Sequence, residues 1–235
     1  MKLHTLFVVA ALALASPALA QTRPVVHAPP VIDGAALVVG PPAAASARQA
    51  ADTLSMHPTV SAERLAQAQA DVPWSPWVAM HPVFGDGFTE ARLPRTARVF
   101  ADVVAGLSPP IGAAKDAFAR RRPFLESPNV VQCEAPDARL AASGSYPSGH
   151  SAGGWAWALV MAELVPSRAD AILQRGRDYG DSRVICGYHY PSDIESGRLL
   201  AAGVIARMHA DANFRRDLDE ARRELARTYP EARTR

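Results

Sequence analysis

Lysine is nearly missing from this chain. Of 25 basic residues only Lys2 and Lys115 are lysines, and the rest are arginine. If Lys2 falls in a cleaved leader, Lys115 is a single ammonium among guanidinium groups, which makes its position informative. Cysteine is nearly missing too: Cys133 and Cys186 are the whole supply. There is no paired-cysteine cluster and no His-Glu-x-x-His helix, so no metal site and no cofactor is expected. Charge of one sign is also lacking. A net +2 over 235 residues argues against a nucleic-acid partner and means that any positive cleft must be local. Beyond residue 20 no apolar run reaches the ~20 residues of a bilayer-spanning helix. No segment alternates as a half-buried strand does.

What is present divides the chain into three parts. Residues 1–20 read as a secretory signal peptide, with Lys2 as the charged start, Leu6 to Ala15 as the apolar stretch and Ala18-Leu19-Ala20 as a small-residue cleavage site. Cleavage there would leave 215 residues with a net charge of +1. The mature protein is then expected in the periplasm or secreted, free of the membrane. Residues 21–46, with Pro29-Pro30 and Pro41-Pro42, read as an extended Pro/Ala-rich arm lying over the domain or leading into it. Residues 47–235 read as one helical domain. In an oxidising compartment, Cys133 and Cys186 suggest one disulfide, with two buried free thiols as the alternative. Closing a loop of that size adds ~4 kcal/mol in the chain-entropy model.

Apolar spacing predicts an all-α bundle. Leu93, Ala97, Phe100, Val104 and Leu107 mark one helix, which Ser108-Pro109-Pro110 should stop. Ile111, Ala114 and Phe118 mark the next, ending near Arg122-Pro123. Ala152, Ala156, Leu159, Val160 and Leu164 give a buried helix, and Ser167 is placed to cap another. Ile194, Leu199, Val204, Ile205 and Met208 form a further one. The last, from about Asp211 to Tyr229, buries Phe214, Leu218, Ala221 and Leu225 and turns a charged, solvated face outward.

Three short blocks carry chemistry. Lys115 and Arg122, if both lie on one helix, are two turns and about 10 Å apart along its axis and could converge on one anion. Lysine offers a point charge and arginine a planar fork. Arg120 and Arg121 read instead as a solvated helix end. Ser148-Gly149-His150 stands before the buried helix, where free N–H groups and partial positive charge favour phosphate. An ordinary serine cap beside a surface histidine is the plainer reading of that block alone. In Ser182-Arg183 to Asp193, Pro191 suits the first helical position, so Asp193 falls in the first turn with His189 just outside it. If the carboxylate accepts a proton from one ring nitrogen, the other is left as a lone pair, ready to attack phosphorus.

Lys115 to Arg122-Pro123, Pro147 to His150, and Ser182-Arg183 with His189 and Asp193 stand in one order and spacing. In that pattern the chain resembles the class A bacterial non-specific acid phosphatases of the type 2 phosphatidic acid phosphatase superfamily. The longer runs GSYPSGH and SRVICGYH resemble its secreted branch, and the similarity runs from about Leu37 to Tyr229. The resemblance implies catalytic roles for His189 as nucleophile, Asp193 as its orienting partner and His150 as proton donor and then base. It also implies that Lys115, Arg122, Ser148, Gly149 and Arg183 bind the phosphate. The implied activity is metal-independent hydrolysis of phosphomonoesters through a phosphohistidine, with phosphotransferase activity and a homodimer left open.

Vanadate-dependent haloperoxidases share the signature but generally have much longer chains. Membrane lipid phosphatases share it but need spanning helices. A non-catalytic periplasmic phosphate binder would need the cations but not a His189–Asp193 pair. Substrate preference is expected to lie in the divergent parts, the arm and the stretch from Trp74 to Phe88. Trp74 and Trp77 could stack an aromatic leaving group; packing is the simpler reading.

Overall fold

The structure is a computed structural model that describes residues 32–230 apart from 57 and 128. The leader 1–20, the first part of the arm and residues 231–235 lie outside the described residues. Within them the fold is all α, as the apolar spacing predicts, and no strand occurs. Helices α1 (Gly34–Leu37), α2 (Ala47–Leu54), α3 (Ala62–Ala70) and α4 (Pro76–Phe84) lead into the long α5 (Pro94–Phe118). Two short helices follow, α6 (Pro123–Glu126) and α7 (Ala138–Ala142). The bundle is completed by α8 (Gly149–Leu164), α9 (Ala169–Ile185), α10 (Pro191–Met208) and α11 (Ala212–Thr228). No helix of the described residues is long and apolar enough to cross a membrane.

Helix α8 is the centre. It packs against α4, α5, α9, α10 and α11, and Ala152, Ala156, Trp157, Val160, Met161 and Leu164 are buried on several of its sides. A helix apolar all round belongs inside a bundle, and this one is inside.

The prolines do not break α5. Pro109 and Pro110 sit within one continuous helix. An interior proline costs ~3 kcal/mol or more, because it removes a backbone hydrogen bond and crowds the preceding turn. Here both flanking turns are anchored: Leu107, Ile111 and Ala114 are all buried, and the interruption falls where α1 presses against the Pro110 carbonyl. Tertiary packing therefore overrides the local stop signal. The helix also ends earlier than its sequence suggests. Ala119 takes a left-handed conformation (φ 44°) and closes α5 at Phe118. The chain leaves because its next carbonyls are taken: Ser145 N donates to Arg120 O at 2.8 Å, and Ser145 Oγ donates to Arg121 O at 3.2 Å.

Four smaller expectations are also corrected. Ser167 caps nothing; it lies in a 3₁₀ turn, Pro166–Arg168, that runs into α9 without a side-chain cap. Leu199 is half-exposed. The charged face of α11 is not wholly solvated. Glu224 is buried and accepts from Arg95 N, Thr96 N and Thr96 Oγ1, each at 2.9 Å, which caps the start of α5. The arm is not extended throughout, since α1 lies within it. The stretch just after α1 is strapped down where Tyr146 Oη donates to Val39 O.

Candidate active site

Two helix starts are tied side by side. Ser148 N donates to Asp193 O at 3.0 Å, and Ser151 Oγ donates to Ile194 O at 2.8 Å. Close approach is possible because residue 197 is glycine: a Cβ there would sit 2.6 Å from Ser148 O. Ser148 caps α8 by accepting from Ser151 N at 3.2 Å. Pro191 opens α10, and Asp193 Oδ2 accepts from Tyr190 N at 2.9 Å. His150 and His189 thus stand next to neighbouring positive helix ends.

Gly187 makes the turn that delivers His189. Its φ of +69° suits glycine, and a Cβ would meet Val130 at 1.9 Å. Beside it, Cys133 and Cys186 form the disulfide, 53 positions apart in sequence. The bridge fastens the segment before α7 to the end of α9. Tyr188 Oη adds to this by donating to Glu134 O at 2.7 Å. That segment forms one wall of a cavity of about 440 Å³, lined among others by Trp74, Arg122, His150, Arg183, Tyr188 and His189.

Arg122 uses its whole fork. Nε donates to Leu140 O (2.9 Å) and Ser143 O (3.0 Å), Nη1 to Tyr188 O (3.0 Å), and Nη2 to Ser143 Oγ (2.8 Å). Nη1 is also 3.2 Å from His189 Nε2. Lys115 Nζ donates to Gly144 O, which Arg122 Nη2 also approaches at 3.3 Å. Arg183 lies over the Tyr188 ring, 4.4 Å from its centroid. It is less well satisfied: Nη1 reaches Asp71 O only at 3.5 Å, and buried Nε has no hydrogen-bond partner. An under-bonded buried guanidinium facing a cavity fits an anion.

The hydrogen bonds assign the histidine tautomers. A carbonyl only accepts, so His150 Nε2, 2.9 Å from Val72 O, carries a proton and Nδ1 is the nitrogen left to titrate. A guanidinium only donates, so His189 Nε2 presents its lone pair and the neutral ring keeps its proton on Nδ1. Asp193 Oδ2 lies 3.4 Å from that Nδ1, near but too long for a strong hydrogen bond, and the Ser145 backbone also favours the protonated ring.

Burial and neighbouring positive charge disfavour the protonated forms of the basic groups at the site. Burial, then Arg183, holds His150 well below the usual imidazole range, against the Val72 carbonyl. Burial, then Arg122 and Lys115, does the same to His189. Burial and Arg122 bring Lys115 down to about 7, and burial brings Arg122 down to about 10. Burial raises the Asp193 carboxyl, opposed chiefly by Arg120. An anion in the cavity would reverse the trend for every cation at once.

All the expected site residues gather in one region, but not as a helix face. Lys115 is on α5 and Arg122 lies beyond its end, so a chain reversal rather than two helical turns brings them to Gly144. Lys115, Ser148 and Gly149 are not among the residues lining the histidine cavity. Lys115 lines a neighbouring one of about 500 Å³ with Arg122. Arg120 is not solvated: it is nearly buried and paired with Asp193 and Asp52, whereas Arg121 is exposed as expected. Trp77 packs against Phe88 and Phe100. Trp74 does more than pack, for it lines the cavity and donates to Gly149 O at 3.2 Å. Sequence reasoning missed Asp52 and the Val72 carbonyl. A backbone acceptor leaves no mark on the residue type, and Asp52 is a lone acid on a short helix.

The helical architecture and the ordered signature are those of one family. Residues 98–217 match the PAP2 superfamily, and the chain belongs to it. Its relatives include an acid phosphatase of Zymomonas mobilis, 42% identical over 144 residues, covering 61% of this chain and 54% of that protein. A non-specific acid phosphatase of Providencia stuartii is 38% identical over 151 residues, covering 63% and 60%. One of Salmonella typhimurium is 42% identical over 114 residues, covering 48% and 45%. The chain thus spans roughly half the length of these curated relatives.

Proposed function

We propose that this chain is a metal-independent acid phosphatase that hydrolyses a broad range of phosphomonoesters through a phosphohistidine. The observation that carries the reading is His189 Nε2, kept as a lone pair by Arg122, facing the same cavity as His150 and the under-bonded Arg183. The names of the relatives support the substrate class.

The phosphoryl oxygens are held by Arg122 and Arg183, with Lys115 supplying charge from behind Gly144. The start of α8 adds the Ser148 hydroxyl, the Gly149 N–H and the helix dipole. His189 Nε2 attacks phosphorus, so an N–P bond forms as the ester P–O bond breaks. His150 Nδ1 delivers its proton to the departing oxygen. The same nitrogen then takes a proton from water, whose oxygen attacks phosphorus. The N–P bond breaks and inorganic phosphate leaves. Asp193 stabilises the His189 ring while it is positively charged. Replacing water by an alcohol in the second half would give phosphotransferase activity. Burial and the neighbouring cations favour the neutral form of both histidines, so His150 must gain its proton from acidic medium or from the field of a bound phosphate. An acidic optimum follows. Export to the periplasm or beyond, after cleavage at residue 20, agrees with the disulfide.

The test is a panel of aryl, alkyl and nucleoside phosphates, with and without EDTA and vanadate. Turnover that survives EDTA and is blocked by vanadate is expected. Loss in EDTA restored by a divalent ion, or no turnover of any phosphomonoester, would overturn the reading.

A further inference from the structure

Arg120 forks between two carboxylates. Nη1 lies 2.5 Å from Asp193 Oδ1 and 2.8 Å from Ser192 Oγ. Nη2 lies 2.8 Å from Asp52 Oδ2 and 2.7 Å from Gln49 Oε1. The Tyr190 ring lies against the guanidinium, its centroid 4.1 Å from Cζ. Asp52 closes the arrangement from the other side. Its Oδ1 accepts from Ser192 N at 3.0 Å, and its Oδ2 accepts from Ser192 Oγ. Arg120 and Asp52 therefore grip the first turn of α10, next to His189. Asp52 and Gln49 belong to α2, which precedes the 98–217 stretch that matches the family.

We propose that Arg120 and Asp52 are a positioning pair that fixes the Asp193 carboxylate with Oδ2 turned towards His189, which makes α2 part of the working site. The inference rests on the phosphatase reading above. With Oδ1 held by Arg120, only Oδ2 is free to face the histidine, and Tyr190 N fixes that oxygen as well. Asp52 in turn stops the guanidinium from following Asp193 alone, because it anchors the second arm of the fork. Two anions around one buried cation also leave Asp193 charged without over-binding it. A bidentate Arg120–Asp193 pair would draw Oδ2 off His189.

The charge environment gives this a readout that simple bracing lacks. Asp193 faces Arg120, Lys115, Arg122 and His189, with Asp52 beyond Arg120 and the Tyr146 and Tyr190 phenols nearby. Burial raises the Asp193 carboxyl, and Arg120 is the main influence against it. Removing the cation should let Asp193, and His189 with it, take up a proton at higher pH. Removing the Asp52 charge should do the opposite.

The experiment is the pH–rate profile of the full chain on p-nitrophenyl phosphate for wild type, Arg120→Met, Arg120→Lys and Asp52→Asn. Arg120→Met should lose roughly 10–100-fold in kcat, as outer partners of functional groups do, and its acid limb should move up by about one pH unit. Arg120→Lys keeps the charge, so its limb should stay near wild type with part of kcat recovered. Asp52→Asn should also lose kcat, but its limb should move down. A loss of kcat in Arg120→Met without an upward shift of the limb overturns the inference. If that variant does not fold, Asp52→Asn decides, and an unmoved or raised limb overturns it. A wild-type chain with no phosphatase activity removes the proposed function itself, whereas an active wild type with unmoved variants removes only the positioning pair.

Discussion

Arg122 Nη1 sits 3.2 Å from His189 Nε2, and a guanidinium has no lone pair to offer. The nitrogen that faces the cavity is therefore unprotonated in the neutral ring, before any substrate arrives. Burial, with the same cation and Lys115, holds His189 well below the usual imidazole range. In the proposed reaction nucleophile and oxyanion binder would thus be coupled: the group proposed to receive phosphate also keeps the proposed attacker free of a proton.

That coupling predicts a tautomer and a direction. Nitrogen-15 NMR of the full chain at neutral pH should show His189 with Nε2 bare and Nδ1 protonated. In Arg122→Gln the ring should take up its second proton at a higher pH than in wild type, since an opposing charge is gone. A His189 found with Nε2 protonated at neutral pH would contradict the assignment.

Much of this site is legible in the sequence because its parts obey local rules. Ser148 caps α8, Pro191 opens α10 and Asp193 reaches back from the third helical position, all as residue type and spacing predict. What was not legible is non-local. Nothing in the sequence marks Ala119 as left-handed; the chain turns there because Ser145, brought in from beyond α7, takes the next carbonyls. Pro109 and Pro110 give a strong stop signal that the core overrules. Arg120 looked like a charge at a helix end because its partner Asp52 lies 68 positions away.

Lys115→Arg should be poorly tolerated, although the chain uses arginine elsewhere. The ammonium is buried against Gly144 O, beside Arg122. A planar guanidinium is larger, and its pKa does not fall as readily. Turnover of phenyl phosphate should fall on the order of 100-fold, as when one donor to a reacting oxyanion is lost. Near-normal turnover would place Lys115 outside the machinery.

Breaking the Cys133–Cys186 bridge should affect stability and substrate binding together. Removal of a native disulfide typically costs about 2–5 kcal/mol, which urea unfolding of Cys186→Ser would measure. The freed segment carries Glu134, Asp137, Arg139 and Leu140, all of which line the cavity. KM should therefore rise more than kcat falls. Two free thiols in the wild-type protein, found by mass spectrometry, would remove the basis of this prediction.

The two histidines should fail differently. His189→Ala removes the proposed nucleophile, the Nε2 lone pair beside Arg122, so neither phosphoenzyme nor product should form with any substrate. His150→Ala removes the Nδ1 that Val72 O leaves free to titrate, and with it the proton for the leaving group. An activated ester such as p-nitrophenyl phosphate hardly needs that proton, so phosphoenzyme formation should be partly spared. An alkyl phosphate should lose far more, because general acid catalysis is typically worth about 10²–10⁴-fold. Water attack also loses its base, so acid-labile, base-stable phosphate should accumulate on His189 in His150→Ala when the reaction is quenched early. The difference should appear in pH as well. The wild-type rate on an alkyl phosphate should fall as pH rises and His150 loses its proton, while His150→Ala should lack that alkaline limb. Equal losses by the two variants on both substrates, or label trapped when His189 is absent, would show that the roles of nucleophile and proton donor have been misassigned.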